Sequence, residues 1–278
     1  MRIEFSKMQG LGNDFLVFDA PPASASARLD SDKFRALADR HTGIGFDQAL
    51  MLEAPRNARA RAYYRIFNSD GSEVEQCGNG ARCIAALLYS RMPALGRELT
   101  LDSPGGSVRA HVREDGLVSV DMGVPNFEPS ALPMEASGES LTYSLNLDTG
   151  PIEFGAVSMG NPHVVLRVAD VDTAPVARLG PAIERHLRFP KRTNVGFMQI
   201  VDRGHIRLRV FERGAGETQA CGTGACAAVA VGRRQDLLDG DVAVDLKGGR
   251  ASVSWAGPDQ HLWLTGPATT VFTGSIEI

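Results

Sequence analysis

Aromatic side chains are scarce: phenylalanine, tyrosine and tryptophan together make up 6% of the 278 residues. A core must therefore come from aliphatic and small side chains, and 43% hydrophobic content suffices for one large or two modest domains. No charge of one sign dominates. The net charge is −4 with both signs interspersed, which speaks against a nucleic-acid footprint or a membrane-surface patch. Long apolar runs are missing too: Cys83 to Tyr89 and Ala225 to Val231 fall far short of the roughly 18 residues a membrane span needs. The opening Met1-Arg2-Ile3-Glu4-Phe5 has no apolar signal core, so a cytoplasmic protein is expected. Cysteine is down to four residues without a C-x-x-C pair, which fits neither a disulfide scaffold nor a zinc cluster.

Glycine, by contrast, is plentiful, and it frames a phrase that occurs twice. Cys77-Gly78-Asn79-Gly80-Ala81 returns as Cys221-Gly222-Thr223-Gly224-Ala225. Each copy lies between a strand-like run and an apolar run of small residues with helical character. In both, the cysteine stands where a glycine-rich turn would open a helix. The pattern predicts a helix over about 78–91 after the first copy.

The surroundings repeat as well. Gly12-Asn13 precedes the apolar run Phe15 to Phe18, as Gly160-Asn161-Pro162-His163 precedes Val164 to Val168. Gly45-Phe46-Asp47-Gln48 is echoed by Gly196-Phe197-Met198-Gln199, and Arg65-Ile66-Phe67-Asn68 by Arg209-Val210-Phe211-Glu212. Gly105-Gly106 is echoed by Gly248-Gly249. Between the landmarks, strands are expected at Ile3–Met8, Ala49–Leu52, Ala60–Phe67, Ser107–Arg113 and Leu117–Asp121. A helix capped by Ser31 should run to about Arg40, and a second near Val176–Leu187 should be interrupted at Gly180-Pro181. Pro21 to Ala27 reads as a loop. The unit is too long for a solenoid repeat. The expected fold is α+β: two pseudo-symmetric domains, each a set of short strands wrapped around the helix that begins at its cysteine.

A cysteine at a helix N-terminus meets the positive end of the helix dipole and several unpaired N–H donors, both of which favour the thiolate. The same donors in Gly78-Asn79-Gly80 and Gly222-Thr223-Gly224 can hold a carboxylate. Two such halves facing one ligand would place a thiol on each side of it. That arrangement suits inversion at a carbon α to a carboxylate: one thiolate removes the proton while the other thiol protonates the opposite face. Helix-end N–H groups would then stabilise the developing charge. No lysine lies in a phosphate-binding context and no metal-ligand constellation is present, so a cofactor-independent mechanism is the simplest fit.

Plainer readings stand beside these. Cys83 and Cys226 lie inside apolar runs and read as small buried hydrophobes. His163 alone reads as a surface histidine after a proline, and Glu212-Arg213 as a surface pair. Asn13, Asn68, Asn161 and Asn194 sit in turn-like contexts where asparagine is common. Only their places at the repeat landmarks make them candidates. Asn68 and Glu212 share a repeat position with different chemistry, which points to one ligand seen from two unlike sides.

Together, several stretches resemble the diaminopimelate epimerase family from end to end. They are Gly10-Leu11-Gly12-Asn13-Asp14-Phe15, Gly45-Phe46-Asp47-Gln48, Phe67 to Glu73 running into Cys77-Gly78-Asn79-Gly80, Gly160-Asn161-Pro162-His163, Thr193-Asn194-Val195-Gly196-Phe197, and Glu212 to Thr218 running into Cys221-Gly222-Thr223-Gly224. The resemblance implies cofactor-independent interconversion of LL- and meso-2,6-diaminopimelate in lysine and peptidoglycan biosynthesis. Carried over, Cys77 and Cys221 are the acid/base pair, supported by His163 and Glu212. Asn13, Gln48, Asn68, Gly78, Asn79, Asn161, Asn194, Glu212, Arg213, Gly222 and Thr223 bind substrate. The resemblance also implies that the last strand, Thr270 to Ile278, returns to the first domain. The halves would then be 1–121 with 267–278, and 122–266. A homodimer is implied as well, although the tyrosine that many members carry near the C-terminus is absent from Val271-Phe272-Thr273. A proline or hydroxyproline racemase-like enzyme would share the two cysteines, but the amide-rich set with Glu212-Arg213 favours a substrate with a second polar amino acid end. A catalytically silent binding protein on the same scaffold is the alternative from another class, and both cysteines in helix-opening context argue against it.

Overall fold

The computed structural model describes residues 2–21, 29–74, 77–148 and 150–277. Of the loop expected at 21–27, only Pro21 lies within them. The chain divides into two units, 1–120 with 266–278 and 121–265.

The first unit contains β1 (Arg2–Gly10), β2 (Asn13–Asp19), α1 (Ser31–Ala38), β3 (Gln48–Glu53), β4 (Ala62–Asn68), β5 (Glu73–Val74), α2 (Gly78–Arg91), β6 (Glu98–Ser103), β7 (Gly106–Val112) and β8 (Val118–Asp121). Helix α2 is buried without a break from Asn79 to Ala85 and again at Leu87 and Leu88. A helix apolar around most of its circumference has to be covered on most sides, and β1, β2, β6 and β7 pack on it. Successive strand residues point to opposite faces. In β3, Leu50 packs against α2 at Gly80, whereas Ala49 and Met51 join Phe34 and Leu37 of α1 in a separate cluster. The rings of Phe34 and Phe67 stack there at 4.2 Å. The N-cap of α1 is Asp30 rather than the expected Ser31: its carboxylate accepts the Lys33 N–H at 2.9 Å, and the Ser31 hydroxyl donates to the Gly71 carbonyl instead. The helix ends at Ala38, two residues before Arg40.

The second unit contains β9 (Tyr143–Leu147), β10 (Gly150–Ser158), β11 (Pro162–Arg167), α3 (Val176–Glu184), β12 (Asn194–Asp202), β13 (His205–Glu212), β14 (Gly216–Glu217), α4 (Gly222–Arg234), β15 (Asp241–Leu246), β16 (Gly249–Trp255) and β17 (Leu262–Gly266). Helix α4 is buried from Gly224 to Gly232, where only glycine, alanine, valine and cysteine occur. Such small side chains let β10, β11, β12, β13 and β16 close around it. Helix α3 runs through Gly180-Pro181 without the expected interruption. Pro181 removes a single helix hydrogen bond, and Gly180 is there for packing: a Cβ would lie 2.5 Å from the Phe211 ring.

The closing strand β18 (Thr269–Glu277) pairs antiparallel with β1; Ile278, the last residue of the expected strand, lies outside the described residues. The first unit then reads β18-β1-β2-β3-β4-β6-β7-β8. The second reads β9-β10-β11-β12-β13-β15-β16-β17, with the same parallel and antiparallel senses at every step. The fold is thus α+β, one topology built twice, with the end of the chain supplying the strand that β9 supplies in the second unit.

Register corrects one detail of the repeat. Gln48 pairs with Asn68 and with Phe15. In the second unit His163 pairs with Asn194, and Val195 with Phe211, so Asn194 falls opposite Glu212. Gln48 therefore corresponds to Asn194, and the echo at Gly196 to Gln199 is a coincidence of sequence. One brace is also duplicated. Arg65 holds Glu73 through two hydrogen bonds of 2.7 Å, and Arg209 holds Glu217 through bonds of 2.7 and 3.0 Å.

Close approach of α4 to β10 depends on Gly155, where a Cβ would lie 2.2 Å from Val231. Gly155→Ala is expected to cost about 1–3 kcal/mol by overpacking. Gly138→Ala, with nothing within 4 Å of its Cβ position, should move stability by less than about 1 kcal/mol. Urea unfolding midpoints of the two variants check the contrast, and equal midpoints would contradict it.

Candidate functional site

In the first unit, three neighbouring strands end beside the start of α2. Asn13 opens β2, Gln48 opens β3 and Asn68 closes β4. Cys77 is the N-cap of α2 in extended conformation, with Sγ 3.4 Å from the Gly80 N–H. Gly78 and Asn79 form the first turn, where backbone N–H groups lack partners within the helix. The Gln48 amide donates to Asn68 Oδ1 at 3.0 Å, and Asn68 Nδ2 donates to the Ser72 hydroxyl at 3.1 Å. Gln48 Oε1 is buried with no hydrogen-bond partner among the described residues, which leaves an acceptor for a donor group of a ligand. Asn13 Oδ1 lies 4.0 Å from Cys77 Sγ and accepts from Asn79 Nδ2 at 3.3 Å.

A charged network stands behind Asn13. Asp47 accepts from Asn13 Nδ2 at 2.9 Å, and Arg40 joins Asp47 to Asp14 with bonds of 2.8 Å to each. The buried Lys7 ammonium donates to Asp14 at 2.6 Å and to the Gly45 carbonyl. Burial alone would raise the Asp14 pKa, but hydrogen bonds and charge from Arg40 and Lys7 outweigh it and hold this carboxyl well below the usual range.

In the second unit the same position at the start of α4 is drier. Cys221 is buried at the N-cap, with Sγ 3.6 Å from the Thr223 hydroxyl; Gly222 opens the helix. Glu212 ends β13, where the first unit has Asn68, and its carboxylate accepts from the Thr218 hydroxyl and reaches the Cys221 thiol. Burial pushes the Glu212 pKa up. Burial and the Glu212 charge together push the Cys221 thiol well above its ordinary value, against the weaker pull of Thr223 and the Gly224 N–H. The thiolate expected at this helix start is therefore not favoured here, because desolvation of a fully enclosed sulfur exceeds what helix-end donors return.

His163 is not a surface residue. It is buried in β11, and burial with the Arg213 charge lowers its pKa to about 3, so the imidazole is neutral at pH 7. Its Nε2 lies 3.0 Å from Asn161 Oδ1, and Asn161 Nδ2 lies 3.4 Å from the Thr223 hydroxyl. Asn194 spends both ends of its amide on main chain: it donates to the Pro162 carbonyl at 3.0 Å and accepts the Arg213 N–H at 2.9 Å. The Arg213 side chain is exposed. Glu184, almost wholly buried at the end of α3, accepts the Gly214 N–H at 2.8 Å and so fixes the corner after Glu212.

Several contributors escaped the sequence reading: Lys7, Asp14, Arg40 and Asp47 behind Asn13, Arg82 one turn along α2, Thr218 on Glu212, and Glu184. Two carried a legible signal. Lys7 sits in an otherwise apolar strand segment, and Arg82 interrupts an apolar helical run; a charge in such a place has a partner or is expelled.

A family model described as diaminopimelate epimerase matches residues 5–128 and 155–271. The chain is 55% identical to a diaminopimelate epimerase of Thioalkalivibrio sulfidiphilus over 280 aligned positions, covering 100% of both. It is 52% identical to one of Stutzerimonas stutzeri over 278 residues, again covering 100% of both. Among solved structures, a hydroxyproline epimerase from Agrobacterium vitis with bound trans-4-hydroxy-L-proline matches with a TM-score of 0.68 at 16% identity, over 99% of this chain and 92% of that one. A phenazine biosynthesis protein from Bacillus anthracis matches with a TM-score of 0.67 at 18% identity, over 100% of both. Such low identities carry the fold alone, whereas half-identity from end to end carries the family. This chain belongs to the diaminopimelate epimerase family.

Proposed function

We propose that this chain epimerises LL-2,6-diaminopimelate to the meso isomer without a cofactor, with Cys77 and Cys221 as its acid/base pair. The observation that carries the reading is the doubled half-site: each unit places one cysteine at the N-cap of a buried helix, ringed by amide and carboxylate side chains. Inversion at carbon needs one proton-transfer group for each face, and each half supplies one. The backbone N–H groups at Gly78 and Asn79 and at Gly222 and Thr223 hold the carboxylate of the reacting centre and stabilise the charge that develops there. Asn13, Gln48, Asn68, Asn161, Asn194 and the exposed guanidinium of Arg213 bind the polar groups of the substrate.

The proton balance follows from the second half-site. Cys221 rests as the thiol. When the Cys77 thiolate takes the α-proton, the Cys221 proton goes to the opposite face of the carbanion; the reverse reaction starts from that product state, with the Cys221 thiolate taking the proton and the Cys77 thiol returning one. Burial and the neighbouring Glu212 carboxylate both favour the thiol form of Cys221. Neutral His163 steadies Asn161 beside the reacting group. The reaction belongs to lysine and peptidoglycan biosynthesis and is assigned to the cytoplasm.

Incubation of the reduced protein with LL-diaminopimelate in deuterated water should give α-deuterium incorporation together with the meso isomer. Cys77→Ala and Cys221→Ala should each lose epimerisation by about 10²–10⁴-fold. Native protein that exchanges nothing would sink the substrate assignment, and a variant that still turns over would show a misassigned base.

Glu212→Gln separates acid/base from structural roles. An anion beside a thiol disfavours the thiolate, so its removal should lower the pH at which Cys221 is alkylated by iodoacetamide, while epimerisation becomes slower. Slower alkylation in the variant would contradict the pairing.

A homodimer is proposed on the exposed Val271 and Phe272 of β18, 57% and 47% accessible. Sedimentation velocity should give twice the chain mass, and Phe272→Asp should shift the boundary to the monomer. A native monomer at micromolar concentration would rule the dimer out.

A further inference from the structure

Arg82 and Asp47 stand at the two ends of one line of hydrogen bonds that passes in front of Cys77. The guanidinium of Arg82 is fully buried; it donates to Asn79 Oδ1 at 2.8 Å and to the Pro267 carbonyl at 3.4 Å. Two glycines make its berth: a Cβ at Gly10 or at Gly266 would lie 3.3 Å from guanidinium atoms. Asn79 Nδ2 donates to Asn13 Oδ1 at 3.3 Å, and Asn13 Nδ2 donates to Asp47 Oδ2 at 2.9 Å.

The direction of this line follows from its ends. A guanidinium only donates and a carboxylate only accepts. Arg82 therefore requires the oxygen of Asn79, which turns the Asn79 amino group towards Asn13. Asp47 requires the amino group of Asn13. Both demands leave the same end of Asn13, its Oδ1, facing Cys77 Sγ at 4.0 Å. Asp47 is held in turn by Arg40 and by the Asp14 N–H at 3.1 Å.

We propose that Arg82 and Asp47 are positioning residues that lock the Asn13 amide with its oxygen towards Cys77, so that Cys77 meets a hydrogen-bond acceptor there. An acceptor orients the S–H proton and favours the thiol, the form in which Cys77 gives its proton to the carbanion when the two roles are exchanged; a reversed amide would present N–H groups and favour the thiolate. Among the described residues, Tyr64 and Cys83 also interact with the Cys77 charge. Burial raises Tyr64 above its ordinary value and pushes Cys83 up to about 12, so both stay neutral.

The second unit has no such lock. Register places Thr193 where the first unit has Asp47, Thr223 replaces Asn79, and Cys226 stands in the place of Arg82. There the amide is set by a neutral imidazole: Asn161 Oδ1 faces His163 and Nδ2 faces Thr223. The two asparagines that correspond across the units thus present opposite ends to their helix starts, oxygen in the first and nitrogen in the second.

The catalytic meaning of the lock rests on the reading of Cys77 as an acid/base group, but its test does not depend on turnover. The pH dependence of iodoacetamide alkylation is followed at each cysteine by peptide mass spectrometry in native protein, Asp47→Asn, Arg82→Gln and the double variant. Asp47 is exposed, so Asp47→Asn should leave the fold intact, as shown by unreacted Cys83 and Cys226. Asp47→Asn should lower the alkylation midpoint of Cys77 by up to about one pH unit, or about tenfold in rate at fixed pH below the midpoint, whereas Arg82→Gln also removes a cation that favours thiolates in this helix and should offset part of that shift in the double variant. Asp47→Glu, which keeps the carboxylate, should stay near the native midpoint. In an Asn13→Ala background Asp47→Asn should have no effect, because the lever is gone. A shift of the same size in that background would show Asp47 acting as a bare charge and overturn the lock. An unchanged Cys77 midpoint in Asp47→Asn would overturn it too, while leaving the epimerase reading untouched.

Discussion

A helix buried on nearly every side can be approached from water only at its ends, and the rest of this structure follows from that constraint. Small residues let strands close on α4 from Gly224 to Gly232, and the N-terminus is where backbone donors have no partner within the helix. Unmet donors inside a fold are costly unless something accepts from them. Under the proposed function a substrate carboxylate would meet that demand, with the N-cap cysteine beside the neighbouring carbon. Placement of the thiol and placement of the helix-end donors beside it are two results of one packing choice.

The two units obey this constraint with different electrostatics. In the first, Cys77 is half-buried and its surroundings are tied to full charges: Lys7, Arg40 and Arg82 on one side of the balance, Asp14 and Asp47 on the other. In the second, Cys221 is enclosed, and its neighbours are groups whose own ionisation is shifted by burial, Glu212 upward and His163 downward. One half holds its polar groups by charge and the other by exclusion of water.

Much of this was legible in the sequence. The doubled cysteine phrase located both helix starts, and the helix over 78–91 has the bounds that the pattern predicts. Strand positions followed from alternation, with ends displaced by one or two residues where polar side chains such as Asn13, Gln48 and Asn68 open or close a strand yet still pair. Pairing register was not legible. Gly196 to Gln199 resembles Gly45 to Gln48 more closely than Asn194 does, and only the hydrogen-bond ladder reveals that Asn194 is the partner position. Burial was not legible for the same kind of reason: a helix start can be read from one segment, but the enclosure of Cys221 depends on strands far away in the chain.

The duplicated brace between arginine and glutamate shows what kind of residue stays constant in such a scaffold. Arg65 with Glu73 and Arg209 with Glu217 tie the short strand before each cysteine to its long neighbour, and that strand leads the chain into the helix start. Bidentate pairs carry directional information that a single contact lacks. Contacts that set where the cysteine stands are alike in both halves. Contacts that set what the cysteine faces, Asp47 against Thr193 and Arg82 against Cys226, are not. Position is thus specified by the common topology, whereas the surroundings of each thiol differ through the few residues that break the repeat.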